Sequence, residues 1–215
     1  METKPKLFCF DFDDTLTAEN SWYKLNTALG ITPEEDNKMY QAYKVGELSY
    51  LEWTDKVSSY YRTHGLANKE NIERVLHNIT LKPDAKVVIR SLHERGYTLA
   101  IISGSFVPSV TYYAVELGIT HVYAGTKIEY DGENNFVKLQ SEGEESGVKV
   151  KHLKDLCAKL GIQLTDCACV GDGANDIELF RATGRGICFS DASDYVKSEA
   201  VTTINTLSNL LEIFE

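Results

Sequence analysis

The sequence has 215 residues, of which 43% are hydrophobic and 25% are charged, and its formal net charge at pH 7 is -10. This acidic balance argues against broad binding to nucleic acids or anionic membranes, because both kinds of partner require a basic face. No apolar run reaches the ~18–20 residues that a bilayer span needs, and the first six residues lack the basic and then apolar pattern of a secretory signal. We therefore expect a cytoplasmic protein without nucleic-acid or membrane partners.

The first predicted element is an apolar strand over Leu7–Phe10, and a helical region follows it from about residue 17 to residue 80. The helical region contains both tryptophans and six of the twelve tyrosines, but no run that resembles a buried strand. Breaks near Gly30–Pro33, Gly46 and Gly65 divide it into several helices. We interpret residues 17–80 as a small helical cap domain, inserted into a core that residues 1–16 and 81–215 form.

Strands and helices alternate after this insertion, and glycines mark the ends of the predicted helices. The three further strands are expected at Leu99–Ile102, Cys167–Val170 and Gly186–Phe189. Residues 122–139 resemble a β-hairpin that turns at Asp131-Gly132, and the polar, acidic residues 141–147 are expected to form an exposed loop. The alternation predicts an α/β fold with a Rossmann-like parallel sheet that helices cover on both sides.

The cysteines are expected to be buried, reduced thiols. There are five of them, no CxxC pair occurs, and the His/Cys spacing of a zinc site is absent. Free cysteine is among the most frequently buried residue types, so burial explains this pattern without a metal.

Polar residues follow three of the apolar runs. Residues 11–15 are Asp-Phe-Asp-Asp-Thr, residues 103–104 are Ser-Gly, and residues 171–176 are Gly-Asp-Gly-Ala-Asn-Asp. In open α/β sheets, ligands bind beyond the carboxyl ends of the strands. We therefore expect these three polar segments to meet at one edge of the sheet.

Three aspartates at this edge indicate a metal site. Asp11 and Asp13 lie two residues apart in an extended segment and point to the same side, and Asp172 adds a third carboxylate. Such anions repel one another unless a cation neutralises them, and all-oxygen ligands favour Mg²⁺. The alternative is that Asp11 and Asp13 serve turn formation and that Asp172 caps a helix.

Ser103 and Lys149 are weaker signals. At the end of a strand, Ser103 can offer a hydroxyl and backbone donors to a phosphate, although an N-cap role explains it as well. Lys149 opens a predicted helix and can supply the fixed cation that several carboxylates and a phosphate require; a solvated surface lysine is the alternative. Lys151 and Lys154 compete for the same role.

Four elements of the sequence together form a recognisable pattern. They are Asp11-x-Asp13-x-Thr15, Ser103, Lys149 and Gly171-Asp172-Gly173-x-x-Asp176. This pattern resembles the phosphatase branch of the haloacid dehalogenase-like superfamily, and most of all its phosphoserine phosphatase-like subfamily. The resemblance covers nearly the whole chain, including the helical cap and the hairpin near residue 130.

The resemblance implies that Asp11 is a nucleophile that forms an aspartyl-phosphate and that Asp13 is the general acid and base. It also implies Mg²⁺ held by the Asp11 carboxylate, the Asp13 carbonyl and the Asp172 carboxylate, with Asp176 and Thr15 in support. The phosphoryl oxygens would be held by Ser103, Gly104, Lys149 and Asn175. The expected activity is hydrolysis of a small phosphorylated metabolite.

The cap departs from the pattern that reads phosphoserine. The resemblance places the glutamate that contacts the serine amine near Glu19-Asn20, and the arginine that grips the carboxylate near Lys56 or Val57, with Arg62 further along. A lysine does not reproduce the bidentate contact of an arginine, so we expect that phosphoserine is not the best substrate. A phosphotransferase or phosphomutase, and a non-catalytic regulatory binding protein, are the alternative functions.

Overall fold

A mostly parallel sheet forms the centre of the molecule. The computed structural model describes residues 4–214, and within them seven strands form one sheet in the order β4-β3-β2-β1-β5-β6-β7. The strands are β1 (Leu7–Phe10), β2 (Thr98–Phe106), β3 (His121–Tyr130), β4 (Phe136–Gln140), β5 (Cys167–Gly171), β6 (Gly186–Phe189) and β7 (Thr202–Ile204). Only β4 is antiparallel to its neighbour, β3. The predicted Rossmann-like α/β fold and the predicted hairpin are both confirmed.

Ten α-helices accompany the sheet within residues 4–214. They are α1 (Ser21–Ala28), α2 (Pro33–Lys44), α3 (Tyr50–His64), α4 (Lys69–Leu76), α5 (Ala85–Glu94), α6 (Val107–Leu117), α7 (Glu145–Leu160), α8 (Ile177–Thr183), α9 (Asp194–Glu199) and α10 (Asn209–Ile213). Across that same range, none of them combines the length and the apolar character that crossing a membrane requires.

Alternate residues of β1 face the two sides of the sheet. Phe8 and Phe10 pack with α5, α6 and α10 on one side. Leu7 and Cys9 pack with α7, α8 and α9 on the other side. All five cysteines are buried and free, as the sequence predicted.

The strand β2 differs from its predicted length, and α6 was not predicted at all. β2 continues beyond Ile102 to Phe106, so Ser103 and Gly104 lie within the strand rather than after it. The helix α6 begins at the next residue, Val107. Pro108 lies in the first turn of α6 and was the available signal for its start, but the polar residues of the segment belong to the strand itself.

Local capping explains the helices of residues 17–80. The Thr32 hydroxyl accepts a hydrogen bond from Glu35 N at the start of α2, and the Glu35 carboxylate accepts one from Thr32 N. Ser49 and Glu52 form the same reciprocal pair at the start of α3. These capping boxes satisfy amide groups that have no partner inside the helix. Gly65, with a φ of 68°, ends α3 in the left-handed conformation that suits glycine.

These helices share a core with the sheet. We call five of its residues the aromatic cluster: Trp22, Tyr43, Tyr50, Trp53 and Phe106. The ring centroid of Trp22 lies 4.4 Å from that of Trp53 and 4.2 Å from that of Phe106, which belongs to β2. The hairpin adds Phe136 and Leu139 to the same core. The division at residues 17 and 80 into two domains stays a prediction.

Candidate active site

Three polar segments meet at the carboxyl end of the sheet. Since β1 lies between β2 and β5, the residues that follow β1 are adjacent to the ends of both neighbours. Asp11 N donates a hydrogen bond to Val170 O at 2.9 Å, which holds the first residue of the loop against β5. The structure therefore brings the segments of Asp11, Ser103 and Asp172 to one edge.

Lys149 is buried at the centre of this edge. Its Nζ lies 3.0 Å from Asp11 Oδ2, 2.9 Å from Asp176 Oδ1 and 3.4 Å from Glu145 Oε1. Burial lowers the pKa of Lys149, but the charges of these three carboxylates outweigh it and raise this pKa well above its ordinary value. Lys149 is therefore a permanent cation, whereas Lys151, one of the competing lysines, has a side chain that is 66% exposed.

The start of α7 corrects one expectation from the sequence. Residues 141–147 were expected to form an exposed loop, with the helix opening at Lys149, but α7 begins at Glu145. The Glu145 side chain is only 13% exposed because it pairs with Lys149 one helical turn later. The acidic composition of residues 141–147 suggested solvent exposure, and it gave no sign of the pair between Glu145 and Lys149.

Asp11 and Phe12 show how the loop after β1 is held. Asp11 is 4% exposed, and its Oδ1 accepts a hydrogen bond of 2.7 Å from Phe12 N. The Phe12 ring is fully buried and lies against Tyr113, with 5.6 Å between the ring centroids. The loop then turns at Asp14, whose φ of 56° is in the left-handed region. Aspartate adopts this conformation more readily than most residues.

Two serines hold the Asp13 carboxylate. Ser21 donates to it from N at 2.8 Å and from Oγ at 2.7 Å, and Ser105 Oγ lies 2.7 Å from Ser21 Oγ. Burial raises the pKa of Asp13 to about 7; the hydrogen bonds from Ser21 oppose this rise, and the negative charge of Asp11 adds to it. Asp13 can therefore both hold and release a proton near neutral pH.

Sequence reasoning missed both serines. Ser21 is the first residue of α1, where a serine is easily read as a helix-start residue. Ser105 lies two residues after Ser103 in β2, where the pairing with β3 shifts register between Ser103 and Phe106. Strand alternation in the sequence therefore gave no reliable signal for its position.

Asp11, Asp172 and Asp176 can each offer an oxygen atom within 4.8 Å of the others. Thr15 Oγ1 donates to Asp172 Oδ1 at 3.2 Å. Burial raises the pKa of Asp172 well above its ordinary value, and the charges of Asp11, Asp176 and Asp14 add to this rise. A site of crowded carboxylate oxygens fits a divalent cation, which would relieve this repulsion.

Asp176 is held tightly behind the other two carboxylates. Its Oδ2 accepts from Asp172 N at 3.2 Å and from Gly173 N at 3.3 Å, and its Oδ1 bonds Lys149. A Cβ atom at Gly171 would lie 2.2 Å from Asp176 Oδ2. The glycine is therefore needed for this close approach.

Three hydrogen-bond donors converge on one position, and we call them the anion cradle: Gly104 N, Asn175 Nδ2 and Lys149 Nζ, the last of which also contacts Asp11. Glu145 Oε1 lies 3.1 Å from Gly104 N and 2.7 Å from Asn175 Nδ2. A Cβ atom at Gly104 would clash with the same oxygen, so glycine allows the Glu145 carboxylate to approach this closely. Ser103 Oγ is close by and accepts a hydrogen bond from Ser105 N at 3.2 Å. The arrangement can bind an anionic oxygen atom.

The cap residues near the expected head-group contacts have other partners or positions. Glu19 pairs with Lys24 at 2.6 Å, and Asn20 caps α1. Val57 is fully buried, and Lys56 is exposed. Arg62 is bonded to Val137 O and Ser59 Oγ. None of these five residues shows a contact with the anion cradle.

Sequence comparisons match this chain to hydrolases. The model of the haloacid dehalogenase-like hydrolase family matches residues 5–184. A phosphoserine phosphatase of Methanocaldococcus jannaschii is 32% identical over 191 residues, which are 88% of this chain and 87% of that protein. A phosphoserine phosphatase of Streptococcus thermophilus is 32% identical over 186 residues, which are 85% of this chain and 83% of that protein.

Comparisons with solved structures also find phosphoserine phosphatases. A structure described as a phospho-aspartyl intermediate analogue of phosphoserine phosphatase has a TM-score of 0.84 and 28% identity, and the match covers 99% of this chain and 100% of that chain. A substrate-bound phosphoserine phosphatase complex also has a TM-score of 0.84 and 28% identity, with both chains covered completely.

Proposed function

Since this chain belongs to the haloacid dehalogenase-like hydrolase family and is a phosphatase, we propose that it hydrolyses small phosphomonoesters through an aspartyl-phosphate on Asp11. The observation that carries this proposal is the position of the Asp11 carboxylate, 3.0 Å from the buried Lys149 ammonium and two residues from Asp13. The similarity to a phospho-aspartyl analogue structure supports it.

In the first step, a carboxylate oxygen of Asp11 attacks phosphorus, and the bond from phosphorus to the leaving-group oxygen breaks. Asp13 donates its proton to that oxygen, which leaves as an alcohol. In the second step, Asp13 takes a proton from a water molecule, whose oxygen attacks the phosphorus of the aspartyl-phosphate. Orthophosphate leaves, the Asp11 carboxylate is restored, and Asp13 again holds a proton. A pKa of about 7 suits both directions of this transfer.

The anion cradle and Ser103 bind the phosphoryl oxygens in this mechanism. Gly104 N and Asn175 Nδ2 donate hydrogen bonds, while Lys149 supplies a fixed positive charge that burial strengthens. Phosphoryl transfer depends mainly on such positioning and charge stabilisation.

The metal in this proposal is Mg²⁺. The Asp11 carboxylate, the Asp13 backbone carbonyl and the Asp172 carboxylate would hold it, with Asp176 and Thr15 orienting the site. When bound, the ion would neutralise the charge of the phosphoryl group and of the carboxylates around it. Chelation is expected to abolish phosphate release and Mg²⁺ to restore it, whereas Ca²⁺ substitutes poorly because its coordination is looser. Full activity after exhaustive chelation would contradict the metal assignment.

Residues 17–80 act as a cap domain in this proposal, with residues 1–16 and 81–215 as the core. Two contacts support the assignment: Ser21 of α1 bonds Asp13, and the Tyr50 hydroxyl of α3 donates to Gly104 O at 3.1 Å. The cap thereby reaches both the acid/base group and the anion cradle.

Phosphoserine is not the best substrate in this proposal. Val57 is buried and Arg62 is bonded to the hairpin, so neither of these positions offers an arginine side chain that is free to grip a carboxylate. Each lost charge-assisted hydrogen bond costs about 1.5–3 kcal/mol, which corresponds to tenfold or more in specificity.

The test is a panel of phosphorylated metabolites with Mg²⁺, with orthophosphate release as the measurement. We expect release from several esters and a higher kcat/KM for some that lack an amino-acid head group than for phosphoserine. A clear preference for phosphoserine would contradict the substrate proposal. Transfer to an added alcohol with little orthophosphate release would instead identify a phosphotransferase.

A further inference from the structure

The Glu145 carboxylate lies inside the anion cradle. Its Oε1 is within 3.1 Å of Gly104 N, 2.7 Å of Asn175 Nδ2 and 3.4 Å of Lys149 Nζ. A single oxygen atom therefore receives the contacts that the proposed function gives to a phosphoryl oxygen. The carboxylate has the same sign of charge and the same hydrogen-bonding capacity as that oxygen.

We propose that Glu145 is a tethered competitor of the phosphoryl group: it fills the anion cradle of the free enzyme and leaves when the substrate phosphate binds. The inference rests on the proposed function, because the phosphoryl position is part of it. Glu145 is not a catalytic residue in this scheme. It sets how tightly phosphate ligands bind.

The exchange conserves the electrostatic balance of the site. With Glu145 in place, Lys149 faces three carboxylates, those of Asp11, Asp176 and Glu145. When Glu145 leaves, the phosphoryl group restores the negative charge near Lys149 and accepts the hydrogen bonds of Gly104 and Asn175. The donors of the anion cradle are thus never left buried without a partner, which would cost stability.

The exit needs only a side-chain movement at the end of a helix. Glu145 is the first residue of α7, so its side chain can change rotamer without breaking a helical hydrogen bond. The preceding Glu144 accepts a hydrogen bond from Tyr50 N at 3.2 Å, at the start of α3. The same Tyr50 bonds Gly104 O through its hydroxyl. The cap therefore contacts both the glutamate segment and the anion cradle.

A competitor of this kind reduces the apparent affinity for every phosphate ligand, in proportion to the fraction of time for which the site is free. If the anion cradle is free for about one-tenth of the time, the apparent affinity falls about tenfold. The same factor applies to orthophosphate, so the competitor also reduces product inhibition.

Binding of orthophosphate, measured by isothermal titration with Mg²⁺ present, tests the proposal without turnover. Glu145→Ala is expected to bind orthophosphate about tenfold more tightly than the wild type. Glu145→Asp keeps the charge, but it is one methylene shorter and no longer reaches Gly104 N, so it is also expected to bind more tightly. The control is Glu142→Gln, which removes a charge from the same segment at a side chain that is 42% exposed; it should stay within about twofold.

The outcomes distinguish occupation of the anion cradle by Glu145 from a general effect of its negative charge. Tighter binding by both Glu145 variants, together with a lower KM and an unchanged kcat, supports the competitor. Tighter binding by Glu145→Ala alone, with Glu145→Asp like the wild type, indicates a charge effect and overturns it. Unchanged or weaker binding by folded Glu145 variants, with normal phosphate release by the wild type, also overturns this inference and leaves the proposed function intact. A wild type that neither binds orthophosphate nor releases it from esters overturns both.

Discussion

The edge of the sheet and the helical residues 17–80 contribute to this protein in different ways. At the edge, Asp11, Asp176 and Lys149 are buried charged groups that contact one another directly. Among residues 17–80, the main buried contacts are aromatic, as between Trp22 and Trp53. Buried and paired charges are typical of reactive sites, whereas buried aromatic rings stabilise the packing of helices.

This difference predicts separable effects of substitution. Changing a carboxylate at the edge to an amide should remove chemistry and leave the fold intact, because Lys149 keeps other carboxylate partners. Lys149→Ala removes the cation that these carboxylates share, so it should also lower stability. Changes in the aromatic cluster should lower stability first and alter activity through the position of the cap. The following substitutions test this separation.

Asp11→Asn should have the largest effect. The amide has the same shape and can still accept from Phe12 N, while Lys149 keeps Asp176 and Glu145 as partners. We expect kcat to fall by at least about 10³-fold, because the nucleophile is lost, with an unchanged circular dichroism spectrum. The matched control is Asp14→Asn, one turn of the loop away, which should keep most of the activity. Near-normal turnover by Asp11→Asn would rule out the aspartyl-phosphate mechanism.

Trp53→Ala should lower the free energy of unfolding by about 3–5 kcal/mol, the usual cost of deleting a buried aromatic side chain. Trp53 is 4% exposed and packs against Trp22 and Tyr43. Its indole N–H has no hydrogen-bond partner within residues 4–214. Trp53→Phe should therefore cost less than half as much. Urea denaturation measures the stability of both variants. An unchanged denaturation midpoint for Trp53→Ala would show that the aromatic cluster is not a core.

Lys149→Ala should reduce kcat by about 10²–10³-fold, as expected when a donor to the transition state is removed. Lys151→Ala is the control, since that lysine is exposed and its nearest carboxylate, on Glu142, is 3.9 Å away. Steady-state kinetics with Mg²⁺ measures both variants. If Lys151→Ala loses most of its kcat and Lys149→Ala stays nearly normal, the assignment of the two lysines is reversed.

Ser21→Ala removes the Oγ donor to Asp13 and leaves the backbone donor in place. The loss of one hydrogen bond to a charged group should slow kcat by about tenfold. Ser109→Ala is the control, because Ser109 bonds Leu76 O and has no contact with Asp13. Equal rates for the two variants would show that Ser21 does not position the acid/base group.

Asp36→Asn should have the smallest effect, and it tests how the stability of the fold depends on pH. Burial raises the pKa of Asp36 above its ordinary value of 3.8, against the hydrogen bond from Asn26. A carboxyl with a raised folded-state pKa stabilises the fold below pH 3.8, and this contribution is lost as the pH rises through the folded-state pKa. The stability of Asp36→Asn relative to wild type should therefore increase from pH 4 to pH 7, because the asparagine does not titrate and can keep the Asn26 contact at both pH values. Denaturation at both pH values tests this; a relative stability that decreases would contradict the raised pKa.

The sequence by itself predicted six of the seven strands and the positions of the acidic loops, but not β7. The strands of Leu7–Phe10 and Cys167–Gly171 are marked by short apolar runs that are typical of buried strands, and the carboxyl ends of parallel strands lie at one edge. Asp11 and Asp172 follow these runs directly, so their proximity follows from local pattern and strand direction. The helix breaks near Gly30 and Gly65 were equally local, since turn and cap chemistry depends on a few neighbouring residues.

Only the tertiary structure decided which partners these groups have. Ser21 reaches Asp13 because α1 packs against the end of β2, and Glu145 reaches Gly104 and Asn175 across separations of 41 and 30 residues. No periodicity encodes such contacts, because they depend on how α1 and α7 pack against the sheet. For the same reason, the acidic composition of residues 141–147 suggested solvent exposure, whereas the nearby Lys149 ammonium and the donors of the anion cradle bury the Glu145 carboxylate.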